Sequence, residues 1–334
     1  MNSPSPRPSQ PIRVVFLGTP DFAVPALTAL IAAPDITVVL VVTQPDRPAG
    51  RRQQLKASAV KDVATAHGID VLQPERLRGP AILERLRAAD ADLFVIAAFG
   101  QILRQAVLDI PRCGCLNVHP SLLPRYRGPS PIATAILDGD SVTGMTIMLT
   151  ARGMDTGPIL AQQAIPLAPG ATTASVTPDL AELGAVLLVR TIPEWVAGHI
   201  APQPQDDALA TVTRTFVKDD GAIDWSRPAV AIGRQVRAFN PWPRAYTFHR
   251  GKRLLILGAH VETANTGALG AAPPGAVVGV SADGPLIATG DGVLTLTEVQ
   301  PEGRRALSGR DFARGNSALS DCIFGPLGAT GDGA

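Results

Sequence analysis

Ile12-Arg13-Val14-Val15-Phe16-Leu17-Gly18-Thr19-Pro20-Asp21-Phe22-Ala23 packs a β-branched apolar run, a glycine break and a helix start into twelve residues. The run to Gly18 reads as a buried first strand. Thr19-Pro20-Asp21 supplies a turn and a capping residue for a helix from about Phe22 to Ala33. Ile36 to Val42 is a second strand. Strand, helix and strand in that order predict a parallel sheet with right-handed crossovers. Dinucleotide binding does not follow, because Gly18 alone stands where a GxGxxG turn needs three glycines.

The alternation continues outward from this unit. Helices are expected from about Ser58 to His67, Pro80 to Ala89 and Pro131 to Leu137. Strands are expected at Val71-Leu72, in the apolar run Leu93 to Gly100, at Gly144 to Leu149, and beginning at Gly157 to Gln162. A longer helix from about Thr177 to Val196 carries Leu180, Leu183, Leu187 and Leu188 near helical spacing. The fold class is α/β. After Ala201-Pro202-Gln203-Pro204-Gln205-Asp206-Asp207, a polar run punctuated by prolines, the pattern changes. Short apolar runs at Ala245 to Phe248, Leu254 to Leu257, Ala276 to Val280, Leu286 to Ala288 and Val293 to Val299 alternate with turn residues, which predicts a small antiparallel barrel.

One constellation stands out as chemistry. Cys115-Leu116-Asn117-Val118-His119-Pro120-Ser121-Leu122-Leu123-Pro124-Arg125-Tyr126-Arg127-Gly128 leads a strand into a Pro- and Gly-rich loop. Alternate strand residues share a face, so Asn117 and His119 project together. Gly153-Met154-Asp155-Thr156-Gly157 places an aspartate in a second glycine-flanked turn, expected to meet them. An imidazole can take a proton near neutrality and a carboxylate beside it favours the charged ring. An amide can donate to a developing oxyanion but cannot exchange protons. The division suits attack of an amine or water on a carbonyl carbon. There is no GxSxG elbow, and His67, His119, His199, His249 and His260 show no metal-ligand spacing.

The 334 residues fit two domains, and 46% hydrophobic content gives ample material for a core. A net charge of +1 confines any nucleic-acid contact to local patches. Two patches exist. Residues 43–61 hold Arg47, Arg51, Arg52, Lys56 and Lys61 against Asp46, which charge alone leaves as an ordinary solvated loop. Between Asp224 and Glu262 lie Arg227, Arg234, Arg237, Arg244, Arg250, Lys252 and Arg253 with no acid, a pattern of a phosphate-binding face or of simple solubility. Cys113, Cys115 and Cys322 give no disulfide framework and read as reduced thiols, so a cytoplasmic protein is expected. Residues 1–11 resemble no export signal, no apolar run reaches membrane-helix length, and both ends, 1–11 and 325–334, read as disordered.

Taken together, Asn117 to Pro124 and Gly153 to Gly157 resemble the 10-formyltetrahydrofolate-dependent formyltransferase family. Gly18 to Ala23, Gln44 to Arg51, Arg237-Ala238-Phe239-Asn240-Pro241-Trp242-Pro243 and Gln300 to Gly303 resemble its branch that acts on initiator methionyl-tRNA. The resemblance runs from about Arg13 to Phe324. It implies a Rossmann-like catalytic domain over residues 12–200, a linker over 201–214 and an OB-like tRNA-binding barrel over 215–324. It implies Asn117, His119 and Asp155 as the catalytic set. It places the folate against Ser121, Leu122, Leu123, Pro124, Phe99, Gly100 and Ile102, with backbone groups of the 98–103 loop pairing with the ring edge. It turns the basic loop into a tRNA contact through Arg47, Arg51 and Arg52, with Arg237, Arg244, Lys252 and Arg253 added from the barrel. The implied co-substrate is 10-formyltetrahydrofolate, with no metal, and the expected state is a monomer. A small-amine formyltransferase or a formyltetrahydrofolate hydrolase are the alternatives with the same site.

Overall fold

The structure is a computed structural model that describes residues 10–49, 54–262, 272–316 and 319–325. Of the ends expected as disordered, 1–11 and 325–334, residues 1–9 and 326–334 lie outside the described residues, as do Arg51 and Arg52, whereas Gly325 pairs with Phe248. Two compact units divide the chain, Met1–Pro131 with Val142–Pro166 and Thr177–Thr213, and Ile132–Ser141 with Leu167–Val176 and Arg214–Ala334.

The first unit is built on β1 (Ile12–Gly18), β2 (Ile36–Val42), β5 (Val71–Leu72), β6 (Leu93–Ala97), β7 (Cys115–His119), β8 (Val142–Leu149) and β9 (Ile159–Pro166), in spatial order β5-β2-β1-β6-β7-β8-β9. The pairs from β5 to β7 are parallel; β7–β8 and β8–β9 are antiparallel. A short hairpin, β3 (Arg47–Ala49) and β4 (Gln54–Lys56), stands apart from this sheet. Helices α1 (Val24–Ala32), α2 (Ala59–Ala66), α3 (Pro80–Ala88), α4 (Gln105–Leu108), α5 (Pro131–Asp138) and α6 (Thr173–Val196) complete the order to residue 196. All five β6 residues are buried, as a central strand covered on both faces requires. The sheet therefore has its strand-order reversal beside β1, and the carboxyl ends of β1, β6 and β7 share one edge, where α/β folds place ligands. Helix α6 comes close to the strands bearing the constellation at Gly184. A Cβ there would stand 2.9 Å from Val118 Cγ1 and 2.8 Å from Met145 Cε.

Three local expectations are corrected. Asp21 caps nothing through its side chain; it starts a one-turn 3-10 helix, and α1 begins at Val24 with Pro25 in its first turn. Strand β6 stops at Ala97, because Ala98 turns the chain with φ +46°. Helix α6 starts four residues before Thr177, since Thr172 and Ser175 exchange backbone-to-hydroxyl bonds of 3.1 and 3.0 Å, a reciprocal cap that outweighs Pro178 inside the helix.

In the second unit, α7 (Ala229–Ala238) precedes an antiparallel sheet of β10 (Ala245–His249), β11 (Lys252–Val261), β14 (Val293–Pro301), β13 (Pro285–Ala288) and β12 (Val277–Val280) in that spatial order. β15 (Leu307–Ser308) pairs with β14, and α8 (Gly309–Arg314) follows. The five runs expected as strands are β10 to β14. The expected barrel is corrected to an OB-like antiparallel sheet that does not close, since its end strands β10 and β12 do not pair directly. Instead the chain end bridges both edges. Phe248 N donates to Gly325 O (3.1 Å) on one side, and Val277 N donates to Cys322 O (3.1 Å) on the other. Phe324, 1% exposed, belongs to the core of this unit, its ring centroid 6.2 Å from that of Trp225 and 5.5 Å from that of His249. Among the described residues no helix is long and apolar enough to cross a membrane.

Phe324→Ala should therefore cost the second unit about 3–5 kcal/mol, read as a lower urea midpoint for that unit. A loss below about 1 kcal/mol would mean that this segment does not close the sheet.

Candidate active site

His119 is the last residue of β7, two positions after Asn117, and both side chains reach Asp155. Asn117 Nδ2 donates to Asp155 Oδ1 at 3.2 Å, and His119 Nδ1 lies 3.6 Å from Oδ2. The backbone N–H of Gly128 donates to the same Oδ2 at 2.8 Å. The three residues expected to meet thus do meet. The tautomer is fixed by a backbone carbonyl. His119 Nε2 stands 3.0 Å from the carbonyl oxygen of Tyr126, which can only accept, so Nε2 carries the proton. Nδ1 is then the basic nitrogen, and its 3.6 Å separation from Asp155 is the gap two acceptors keep.

His119 is 4% exposed. Burial pushes its pKa below the ordinary imidazole value, and the Asp155 charge and the Tyr126 carbonyl offset part of that. The resting ring is neutral and ready to accept a proton. Burial instead pushes Cys115 up to about 12, which makes that neighbouring thiol inert as a nucleophile.

Strain concentrates here. Of six non-glycine residues with positive φ among the described residues, three are Ala98 (+46°), Tyr126 (+61°) and Asp155 (+53°), each worth roughly 1–3 kcal/mol of backbone cost. Tyr126 uses this conformation to aim its carbonyl at His119. Gly128, at φ +109°, brings its N–H to Asp155 where a Cβ would stand 2.8 Å from Thr213 O.

The loop after β7 is tied down by polar groups that the sequence reading missed. Thr146, fully buried on β8, donates to Ser121 O (2.6 Å) and accepts from Leu123 N (3.3 Å) and Gln162 Nε2 (2.9 Å). Ser121 Oγ donates to Arg125 O (2.7 Å), so its hydroxyl, 1% exposed, serves the loop rather than an open pocket. Leu123 is buried as well, while Leu122 and Pro124 stay half-buried. Residues 211–213 run parallel to 126–127: Tyr126 N donates to Thr211 Oγ1 (2.8 Å), Arg127 N to Thr211 O (2.9 Å) and Thr213 N to Arg127 O (2.7 Å). The proline-marked segment expected as a linker thus lies against the site loop within this unit. A polar residue at an inward strand position, as at Thr146, is the one signal that the chain offered.

In the loop after β6, Phe99 turns its ring into the core and its carbonyl accepts from Gln44 Nε2 (3.0 Å) and Thr19 Oγ1 (3.3 Å). That carbonyl is therefore already engaged. Gly100 follows at φ +79° and Ile102 leaves an apolar side chain 91% exposed at this edge. Gln44 begins the basic loop, whose base is pinned by Gln73 Nε2 to Asp46 Oδ1 (2.7 Å) and Lys61 Nζ to Asp46 Oδ2 (2.6 Å). Arg47 is exposed on β3.

In the second unit Arg244 and Lys252 are exposed, and the Arg253 guanidinium stacks 3.6 Å over the Tyr246 ring. Arg237 is less exposed. Its guanidinium is half-buried, donates to Gly233 O of its own helix (3.2 Å), and has its pKa lowered by burial and by Arg234.

Asn117, His119 and Asp155 thus stand together at the carboxyl edge of a parallel sheet, an amide donor beside a basic ring nitrogen, an arrangement that can serve attack on a carbonyl carbon. Residues 12–192 match the Formyl transferase family and residues 216–317 its C-terminal domain family. The chain belongs to the formyl transferase family. It is 54% identical to the methionyl-tRNA formyltransferase of Chloroflexus aggregans over 91% of this chain and 97% of that one. It is 51% identical to that of Roseiflexus sp. over 91% and 93%. Among solved structures, a sugar 3N-formyl transferase, WlaRD, in the presence of dTDP and 5-N-formyl-THF, superimposes with TM-score 0.62 at 18% identity, covering 88% of this chain and 99% of that one.

The neutral ring has a measurable consequence. NMR titration should place His119 below the ordinary value near 6.5, and lower still in Asp155→Asn, which removes the charge that raises it. A folded-state pKa below the unfolded one means that the unfolded chain binds this proton first. Stability from His119 is therefore complete above about pH 6.5 and falls as pH drops toward the folded value, by at most about 1.4 kcal/mol per pH unit. A His119 that titrates above 6.5 would contradict this reading.

Proposed function

We propose that this chain transfers the formyl group of 10-formyltetrahydrofolate to the free α-amino group of methionyl initiator tRNA, giving N-formylmethionyl-tRNA, with Asn117, His119 and Asp155 as the catalytic residues. The observation that carries the residue roles is the meeting of an amide donor, a neutral imidazole and a carboxylate at one sheet edge. The near full-length match to methionyl-tRNA formyltransferases, second unit included, supports the tRNA acceptor over a small amine.

When bound, the folate supplies an activated formyl carbon and a leaving nitrogen. Asn117 spends one N–H on Asp155 and has a second to donate to the formyl oxygen as it gathers charge, worth about 3–4 kcal/mol for a well-placed donor. His119 takes the proton of the attacking amine on Nδ1. Asp155 stabilises the imidazolium, closing its 3.6 Å gap to a charged hydrogen bond. His119 then delivers the proton to the departing nitrogen. The apolar edge at Ile102 and the half-buried Leu122 and Pro124 suit a flat ring, with Ser121, Leu123, Phe99 and Gly100 shaping the loops that hold it. Arg47, Arg51, Arg52, Arg237, Arg244, Lys252 and Arg253 are assigned to tRNA phosphates. Charged initiator tRNA is a cytoplasmic solute, and one chain supplies all three catalytic residues, which supports a cytoplasmic monomer.

The deciding experiment incubates purified protein with 10-formyltetrahydrofolate and methionine-charged initiator tRNA, with uncharged tRNA and free methionine in parallel. Formylmethionine only from the charged tRNA is expected; formate released equally in every tube would make the acceptor water. His119→Ala and Asn117→Ala should each lower kcat by roughly 10²- to 10⁴-fold with folding intact by circular dichroism, and near-normal turnover in either would remove it from the catalytic set. Arg51→Ala should weaken tRNA use and reduce the salt slope by about one, with folate binding unchanged. An unchanged slope would detach this loop from the tRNA.

A further inference from the structure

Asp155 occupies the left-handed region at φ +53°, where a residue with a Cβ stays only if its surroundings over-determine it. The carboxylate oxygens are held by Asn117 and Gly128, but those bonds fix the end of the side chain and not the turn that carries it. The turn is held from the other side by Gln205. Its Nε2 donates one N–H to Asp155 O (2.8 Å) and the other to Gly157 O (2.7 Å), and its Oε1 accepts from Arg127 Nε (2.9 Å). The donor and acceptor ends of this carboxamide are thus both engaged.

The anchor is itself anchored. Two residues earlier, Gln203 exchanges backbone bonds of 2.8 and 2.9 Å with Ile159, the first residue of β9. Arg127, 7% exposed, sends its other arm to Asp207 Oδ1 (2.7 Å). Arg127 also directly precedes Gly128, whose N–H holds Asp155 Oδ2. One side chain therefore ties together the turn bearing Asp155 and the loop bearing its carboxylate's backbone donor.

We propose that Gln205 is a positioning residue for the transfer reaction, keeping the Asp155 carboxylate aligned with Asn117 and His119 by fixing the Gly153–Gly157 turn. The inference rests on the reading of those three residues as the catalytic set. Gln205 touches neither substrate in this scheme; it acts through Asp155.

Two substitutions separate its parts. Gln205→Met keeps the volume and loses all three bonds. Gln205→Glu keeps an acceptor for Arg127 but cannot donate to the two carbonyls. If anchorage of the turn is what matters, both should lower kcat by about 10- to 100-fold while the KM for folate stays within about twofold. In an Asp155→Asn background, Gln205→Met should cost no more than about a further twofold, because the residue through which it acts is already disabled. A Gln205→Glu variant with wild-type kcat would overturn the proposal, as would a full multiplicative loss in the double variant. NMR titration of His119 in the unliganded protein gives a readout independent of turnover. The pKa of His119 should fall in Gln205→Met as the carboxylate drifts from the ring, and an unmoved titration would overturn the inference. Should the wild-type protein transfer no formyl group, the functional reading fails alone, and the titration still decides the role of Gln205.

Discussion

A carboxylate beside a buried, neutral imidazole is the constraint on which the first unit depends. The Asp155 side chain is only 18% exposed and faces a ring nitrogen that offers it no proton at rest. A carboxylate in that position needs donors elsewhere, since a buried charge left unpaired would cost several kcal/mol. The fold supplies them from two distant places, Asn117 on β7 and the backbone of Gly128 past the following loop. Hydrogen bonds to a charged acceptor contribute roughly 1.5–3 kcal/mol each, enough to offset the unfavourable backbone of the aspartate.

The sheet makes this possible by geometry. Parallel strands β1, β6 and β7 end at one edge, so the loops that follow them converge there without further design. Each loop then leaves its strand by an uncommon backbone choice. Ala98 turns the β6 loop so that the Phe99 carbonyl meets Thr19 and Gln44, and Tyr126 turns the β7 loop so that its carbonyl meets His119. Strained residues appear where a backbone group has been recruited to hold a side chain, and the dense bonding of Thr146, Thr211 and Thr213 around the loop keeps them there.

The second unit solves a different problem. An antiparallel sheet with two free edges invites pairing with other chains. Here the short segment Cys322 to Gly325 bridges to β10 and to the start of β12, and Phe324 fills the core behind them. Arg244 and Lys252 are exposed on this unit, whereas Arg237 bends back on its own helix.

Local pattern was sufficient for much of this. β-branched runs closed by glycine gave the central strands, period-two alternation put Asn117 and His119 on one face, and glycine on both sides marked the Asp155 turn. The chemistry of amide, imidazole and carboxylate follows from residue type alone, and the resemblance to the family followed from the motifs carrying them. Helix boundaries were less legible, because Pro178 suggests a start that the Thr172–Ser175 cap overrides. What only the tertiary structure decided is which nitrogen of His119 is basic, and what holds Asp155 in place. The first depends on a backbone carbonyl seven residues on, turned inward by the backbone of Tyr126. The second depends on Gln205, 50 residues from Asp155 and 78 from Arg127, in a segment whose composition reads as a linker. Sequence periodicity encodes which face a side chain takes. It does not encode where the chain returns, and a hydrogen bond to a backbone group exists only after that return.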